Sequence, residues 1–154
     1  MLVQDSDGYA FRHALLQEAA YADLLPGERT ALHLALAEAL REDPGLAAAA
    51  PEAELAHHWA AAHRIPEALA AHVRAGLEAE RLCAFAEAEE HFERALEIWD
   101  LVDDAGARSA LRFASVVEHA AHDAALAGDH HRAARLGRAL EIRAGARRSR
   151  PGRV

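Results

Sequence analysis

The chain has 154 residues, enough for one domain with a substantial core or for a short repeat array. Apolar residues make up 52% of it but aromatic residues only 5%, and alanine dominates. Because alanine has the most favourable helix propensity and lets helices approach closely, this composition predicts an all-α fold.

The charge is unevenly distributed, which limits the partners. The net charge is −8, and the segment from Arg143 to Val154 contains five arginines and no acid, which leaves about −13 for the rest. An acidic body is a poor match for nucleic-acid phosphates, so we expect no direct DNA binding. The sequence has one cysteine, no signal peptide and no apolar run of about 18 residues. These features predict a soluble, cytoplasmic chain that does not contact a membrane.

The N-terminal segment predicts a short β-hairpin. Strand-forming residues at 2–3 and 9–11 flank Asp7-Gly8, and Asp-Gly is a strong hairpin-turn signal. An isolated hairpin is marginal in water, so we expect this one to pack on further structure and the chain to be a piece of a longer protein.

Seven helices are predicted after the hairpin. Apolar residues recur three or four positions apart in each helix, and turns rich in Pro, Gly or Asp separate them. The predicted helices span residues 12–24, 28–41, 51–62, 66–82, 85–101, 107–127 and 130–143. Short connections predict antiparallel neighbours, and therefore a stack of helical hairpins. Residues 144–154 are predicted to be a disordered Arg-rich tail, with contact to nucleic acid or an acidic surface as the alternative.

Several side chains have predicted places in this stack. Leu32, Leu36, Ala39 and Leu40 are expected to form the buried face of the second helix. Trp59 and Trp99 are expected to anchor the core between hairpins, and Cys83 to be a small buried hydrophobe.

One short motif occurs twice. The segment FERALEI at residues 92–98 returns as LGRALEI at residues 136–142, 44 positions later. An apolar helix face that is repeated at such an interval indicates stacked helical hairpins, because one hairpin cannot bury its apolar face alone.

Two segments resemble parts of a known family. Residues 9–29 read Y-x-F-R-H-A-L-x-x-E-A-x-Y-x-x-L-L-P-x-E-R, followed by Leu32-His33 and Leu36-Ala37. This pattern resembles the end of the winged-helix domain in STAND-type signalling ATPases, which include the large LuxR-type transcription regulators and ATPase-coupled cyclases and kinases. The segment HHWAAA at 57–62, with the Pro and Ala-Leu that follow at 66–69, is similar to the first array hairpin of such regulators. Gly76, Ala88, Phe92 and Ala95 have the spacing of a tetratricopeptide repeat.

The resemblance covers about residues 1–143 and implies a domain organisation and a function. It implies that residues 1–45 are the C-terminal part of a winged-helix-like domain and that residues 51–143 are tetratricopeptide-like repeats. The segment would then be non-catalytic and would couple a protein, peptide or effector bound on the stack to the ATPase switch of a transcription regulator.

The resemblance also suggests a nucleotide contact. In the related ATPases a winged-helix histidine near this position contacts the ADP phosphate, which implies that role for His13, with Arg12 nearby. The alternative is that His13 packs against or caps the turn. The chain has no G-x-x-x-x-G-K-[ST] phosphate loop, so ATP or ADP binding is expected only if it is joined to an ATPase domain, and no cofactor of its own is expected.

Eleven histidines raise the question of a metal site. Candidate ligands are grouped in the sequence as Glu54 with His58, then His57, His58 and His63, then Glu118, His119, His122 and Asp123, then His130 and His131. Imidazoles and carboxylates three or four residues apart on a helix can share a metal. The sequence has no H-E-x-x-H motif, no cysteine pair and no recurring ligand spacing, so it favours solvated helix faces and no metal.

Three function classes remain open at this point. The first is the regulator segment implied by the resemblance. The second is a free-standing tetratricopeptide-like scaffold that binds a peptide or protein, and the third, which the residues favour least, is a His-dependent metalloenzyme.

We expect the isolated chain to self-associate. A repeat array needs capped ends, and an uncapped array exposes an apolar face. Light scattering checks this expectation, and a monodisperse monomer would contradict it.

Overall fold

A computed structural model describes the backbone of residues 2–5, 8–11 and 14–148, and the side-chain burial of residues 18–143. Strand β1 (Leu2–Asp5) pairs antiparallel with β2 (Gly8–Phe11), with Leu2 opposite Phe11 and Asp5 opposite Gly8. The predicted hairpin is therefore confirmed. Its assignment to a winged helix stays a prediction.

The predicted all-α stack is confirmed, with eight α-helices in the described part of the chain. Their bounds are α1 (Ala14–Asp23), α2 (Pro26–Glu42), α3 (Pro51–Ala61), α4 (Ile65–Arg81), α5 (Phe85–Ile98), α6 (Ala105–Ser109), α7 (Phe113–Leu126) and α8 (His130–Arg148). From α2 onward each long helix packs on the next one, in the order α2, α3, α4, α5, α7, α8, and the short α6 contacts α4. None of the described helices is long and apolar enough to span a membrane.

Three helix ends share one turn geometry. After α3, α4 and α7 a residue with positive φ follows, namely His63 (57°), Cys83 (58°) or Gly128 (93°). The N–H of the next residue then donates to a carbonyl five positions earlier, at 2.9 Å for Arg64 to Trp59, and equivalent bonds of 2.9 Å and 2.8 Å follow α4 and α7. This is the Schellman arrangement, which satisfies the last carbonyls of a helix and reverses the chain within two or three residues. The repeated turn explains the short connections.

The prediction that Cys83 is buried is wrong. Cys83 occupies the left-handed position of the turn between α4 and α5, where its side chain is exposed. A turn residue of this kind projects away from both helices that it connects.

The core has two parts, each centred on a tryptophan as predicted. Trp59 packs with Leu40 of α2 and Leu55 of α3, and Trp99 packs in the larger cluster with Phe92 and Val116. Both tryptophans are buried. The ring of Trp99 meets Phe113 edge-on at 5.6 Å between centroids, so it connects α5 to α7.

A close approach in the core joins α4 to α5 at Gly76. A Cβ atom placed on Gly76 would lie 2.8 Å from Cε1 and Cζ of Phe92. Phe92, Ala88 and Ala95 are fully buried. The four residues with tetratricopeptide spacing therefore form one packed contact between two helices.

The predicted sixth helix is divided in two. The prediction of one helix over 107–127 is wrong, because α6 ends at Ser109 and α7 begins at Phe113. Ala110 has a φ of +61°, and the Ser109 hydroxyl shares its single proton between the carbonyls of Ala105 (2.8 Å) and Leu111 (3.1 Å). A serine side chain that bonds locally to the backbone competes with helix continuation. No Gly or Pro marks this break in the sequence.

Two further predictions need correction. In α2 the buried residues are His33, Ala37 and Leu40, while Leu32 and Leu36 are 39% and 40% exposed. The helix is therefore rotated relative to the predicted face, toward α3. In addition, α8 continues to Arg148, into the stretch predicted to be disordered. Residues 149–154 lie outside the described part.

We expect Gly76→Ala to destabilise the fold by about 1 to 3 kcal/mol, because the added methyl group overlaps a rigid, fully buried ring. Chemical denaturation measures the effect. Gly137→Ala is the matched control, because a Cβ atom there meets nothing within 4 Å, and replacing a helical glycine by alanine stabilises by up to about 1 kcal/mol. Equal stability changes for the two variants would contradict the close packing of α4 on α5.

Candidate functional site

Histidines and acidic residues are concentrated where neighbouring helices meet. Four polar clusters lie between α2 and α3, α4 and α5, α4 and α7, and α5 and α8. Each joins residues that are far apart in the sequence, and each is partly or fully removed from solvent.

The first cluster joins α2 to α3 through three histidines. Nδ1 of His33 lies 2.9 Å from Nδ1 of His58, and Nε2 of His33 lies 2.9 Å from the Tyr21 hydroxyl. The His33 ring lies 5.4 Å from the ring of His57 and 5.1 Å from that of His58, centroid to centroid. One ring nitrogen from each of the three histidines lies within 4.8 Å of the others. Within the part of the chain that the structure describes, this is the one set of three His, Cys, Asp or Glu groups that is so closely spaced.

The protonation of this cluster follows from its burial. Burial and the neighbouring His57 lower the pKa of His33. Burial, His57 and His33 lower the pKa of His58, and Glu54 acts weakly in the opposite direction. Both imidazoles are therefore neutral at pH 7, and one proton at most lies between their two Nδ1 atoms.

The grouping of histidines predicted from the sequence was different. It joined His63 to His57 and His58, but His63 occupies the turn after α3. His33 takes its place from the preceding helix, 25 residues away from His58. The spacing of residues 33, 37 and 40 is the one indirect signal in the sequence. If these residues form the buried face of α2, the side chain of His33 lies against α3.

A second pair of histidines joins α4 to α5. Nδ1 of His72 lies 3.1 Å from Nδ1 of His91. Burial, assisted by His91 and Arg94, lowers the pKa of His72 to about 4, and burial lowers that of His91. Since both rings are neutral at pH 7, this contact is a hydrogen bond between uncharged groups that fixes the register of the two helices.

The third cluster joins α4 to α7 and contains a buried carboxyl. His119 lies 2.6 Å from Glu80 through Nδ1 and stacks on Phe92, with ring centroids 5.2 Å apart. One turn later, Asp123 is fully buried, and no N–H or hydroxyl group donates to either of its carboxyl oxygens. Burial raises the pKa of Asp123 to about 6, and the nearby Glu80 carboxylate adds to this, because it repels the ionised form and accepts a hydrogen bond from the protonated form. Two residues of the predicted group at 118–123, His119 and Asp123, therefore lie beside Glu80.

The fourth cluster joins α5 to α8 and borders an acidic cleft. Nε of Arg132 lies 2.5 Å from Glu89 and 2.7 Å from Glu93, and its second nitrogen also contacts Glu93. The cleft has a volume of about 420 Å³ and is lined by Ala86, Glu89, Glu90, Glu93, Arg94, Glu97 and Arg132. The residues lining it are mostly acidic, so it is suited to cationic groups.

A larger cleft of about 630 Å³ lies at the other end of α5. It is bordered by Trp99, Phe113 and Arg143. The Arg143 guanidinium lies 3.9 Å from the centre of the Phe113 ring and donates to Asp100 at 2.9 Å. These contacts hold α8 against the start of α7.

The predicted nucleotide contact cannot be placed. His13 and Arg12 lie outside the described residues, so their role stays a prediction. Cys83 is exposed in its turn, and the hydroxyl groups of Ser109 and Thr30 are hydrogen-bonded to backbone carbonyls.

Comparison with known proteins adds one relative. No family model matches the chain, and no solved structure matches it significantly. A protein of Rhizobium meliloti (strain 1021), described as uncharacterized, is 33% identical over 104 residues. The match covers 68% of this chain and 10% of the relative, so the chain spans about a tenth of that protein's length.

We expect Asp123→Asn to raise the free energy of unfolding by about 1 to 3 kcal/mol at pH 8. The folded-state pKa of Asp123, about 6, lies above its ordinary value of 3.8, so ionising the carboxyl opposes folding above pH 6. This penalty decreases as the pH falls from 6 and is absent below 3.8, where the carboxyl is protonated in both states. The gain from the substitution should follow the same course. Urea denaturation at pH 8, 5 and 3 measures it.

The exposed Asp103 provides the control. Asp103→Asn should change stability by less than about 0.5 kcal/mol across this range. An Asp123→Asn variant that is no more stable than the wild type at pH 8, or whose gain persists at pH 3, would contradict the assignment of a buried, unpartnered carboxylate.

Proposed function

We propose that this chain is a non-catalytic helical-repeat segment through which a larger regulatory protein binds a partner or effector. The observation that carries the proposal is the unequal burial of the two copies of the repeated motif. In the first copy Phe92 and Ala95 are fully buried. In the second copy Leu136 is half-buried, Ala139 is exposed and Ile142 is 73% exposed.

The two copies of the motif differ in the helices that cover them. The α5 copy is covered by α4 on one side and α7 on the other, whereas α8 contacts α7 and, through Arg132, the acidic residues of α5. Among the described residues no helix lies on the outer face of α8. In a helical repeat such a face receives either the next repeat or a partner helix.

The comparison supports a segment of a larger protein. Since 104 residues are 10% of the relative, that protein has about 1,040 residues, and a stack of this kind is a small part of it. The finer proposal is the one that the sequence resemblance suggests. In it residues 1–45 belong to the winged-helix end of a STAND-type or LuxR-type regulator in the cytoplasm, and the stack shifts the populations of resting and active ATPase states.

A second candidate function is peptide binding by a free-standing scaffold, and the acidic cleft favours it. Glu90 and Glu97 border the cleft and are exposed. Glu97 forms an exposed ion pair with Arg94 at 3.1 Å, and Glu89 and Glu93 contact Arg132. A peptide with two or more lysines would pair with Glu90 and compete with Arg94 for Glu97. Such binding would weaken strongly with salt.

Crosslinking and mass spectrometry of the protein in its own cells tests the proposal. We expect crosslinks from α8 to another polypeptide or to a further segment of the same one, and we expect Ile142→Glu to remove them, because it places a charge in the apolar contact. Leu126→Glu is the matched control, since Leu126 is 50% exposed at the end of α7 and should leave the crosslinks unchanged.

The other outcomes discriminate between the alternatives. Crosslinks that persist in the Ile142→Glu variant, or that do not involve α8, would contradict the proposal. Salt-sensitive binding of a lysine-rich peptide that Glu90→Gln and Glu97→Gln abolish would favour the scaffold.

A further inference from the structure

We propose that His33, His57 and His58 form a binding site for Zn²⁺ that joins α2 to α3. The site is independent of the partner surface on α8, and it assigns to the first cluster a ligand that the sequence patterns did not predict. The ion would hold the helices before residue 45 against the repeats that follow.

The spacing of the three ring nitrogens fits one ion. Three ligands on a tetrahedral Zn²⁺ with bonds of about 2.0 to 2.1 Å are separated by about 3.3 Å. One ring nitrogen from each of the three histidines lies within 4.8 Å of the others, and Nδ1 of His33 lies 2.9 Å from Nδ1 of His58. The observed spacing is thus close to the spacing that the ion requires.

The surroundings of His33 prepare it as a ligand. Its Nε2 is hydrogen-bonded to the Tyr21 hydroxyl at 2.9 Å. If Nε2 carries the proton and donates to Tyr21, the Nδ1 lone pair is directed at His58. A metal-bound histidine commonly donates its other N–H in this way, which fixes the tautomer and the ring orientation. Tyr21 itself contacts Arg29, whose guanidinium lies 5.0 Å from the centre of its ring, so the hydroxyl is held in place.

The ligand types and the degree of burial select the class of ion. Three neutral imidazoles suit Zn²⁺ and neighbouring late transition metals, and they disfavour Mg²⁺ and Ca²⁺, which prefer oxygen ligands. His33 is buried, His58 is half-buried and His57 is exposed, so a fourth position is open to water. Glu54 lies one turn before His58, but its carboxylate accepts a hydrogen bond from the Ala48 N–H at 2.9 Å. The site therefore consists of three protein ligands and a solvent position.

The other polar clusters lack this combination. His72 and His91 are two imidazoles with no third described ligand within reach, and Glu80, His119 and Asp123 are too widely separated to share an ion in the described geometry. Substitutions in these clusters therefore test whether Zn²⁺ binds to any histidine of the chain or to the proposed site.

Zn²⁺ binding to the untagged chain tests the inference. We expect one equivalent to bind by isothermal titration calorimetry and to raise the melting temperature, because the ion binds the folded chain more tightly than the unfolded one. Co²⁺ in its place should give the visible absorption of a tetrahedral site. His57→Gln should weaken Zn²⁺ binding by about 10-fold or more, and Tyr21→Phe by about 10-fold. Because His57 is exposed, its substitution should leave the fold intact, which far-UV circular dichroism checks.

His72→Gln is the matched control, since it removes a histidine from a pair between helices and should leave Zn²⁺ affinity unchanged. Binding should also weaken at acid pH, because protons compete with the ion for the imidazole nitrogens. The inference is overturned by an absence of Zn²⁺ uptake. It is also overturned by uptake that is equal in the wild type and the His57→Gln/His58→Gln double variant, which would indicate adventitious binding to surface histidines.

Discussion

The contact between Gly76 and the ring of Phe92 sets the distance between α4 and α5, and the rest of the stack is arranged around it. Any side chain at position 76 would meet the ring at less than van der Waals distance. The close approach buries Ala88 and Ala95 and brings the neighbouring helices within reach of Phe92. His119 of α7 also stacks on this ring, so one aromatic side chain joins three helices.

A core made largely of alanine has few ways to specify register. Alanine faces pack closely but slide easily, since they offer neither large side chains nor shape to interlock. In this chain polar contacts between helices supply the missing information, through the histidine pairs, the Glu80–His119 contact and the Arg132 ion pairs. These polar contacts have a cost at Asp123, because a buried carboxylate that receives no hydrogen bond opposes folding at neutral pH.

Local signals in the sequence were sufficient for much of the fold. Prolines at the second residue of α4 and the first of α3, the repeated FERALEI motif and the Gly128-Asp129 turn predict bounds of α3, α4 and α5 and a start of α8 that are close to those observed. Features that depend on tertiary contacts could not be predicted from the sequence. The break at Ala110 results from a serine that bonds to its own backbone, and the rotation of α2 results from packing on α3. The histidine cluster was missed for the same reason, because His33 and His58 meet only when two helices are placed side by side.

Different parts of the one stack have different roles. The interior, around α4 and α5, supplies rigidity. The α2–α3 contact and the outer face of α8 carry the proposed metal site and partner surface, where less apolar area is buried and binding can change stability locally. Repeat stacks allow this division because each helix depends mainly on its neighbours.

Native-state hydrogen exchange tests that division most directly. We expect the slowest amide exchange in α4 and α5 near Gly76 and Phe92, with progressively faster exchange through α7 to α8 and through α3 to α2. A single uniform exchange rate across all of these helices would contradict it, because the stack would then open as one cooperative unit rather than from its ends.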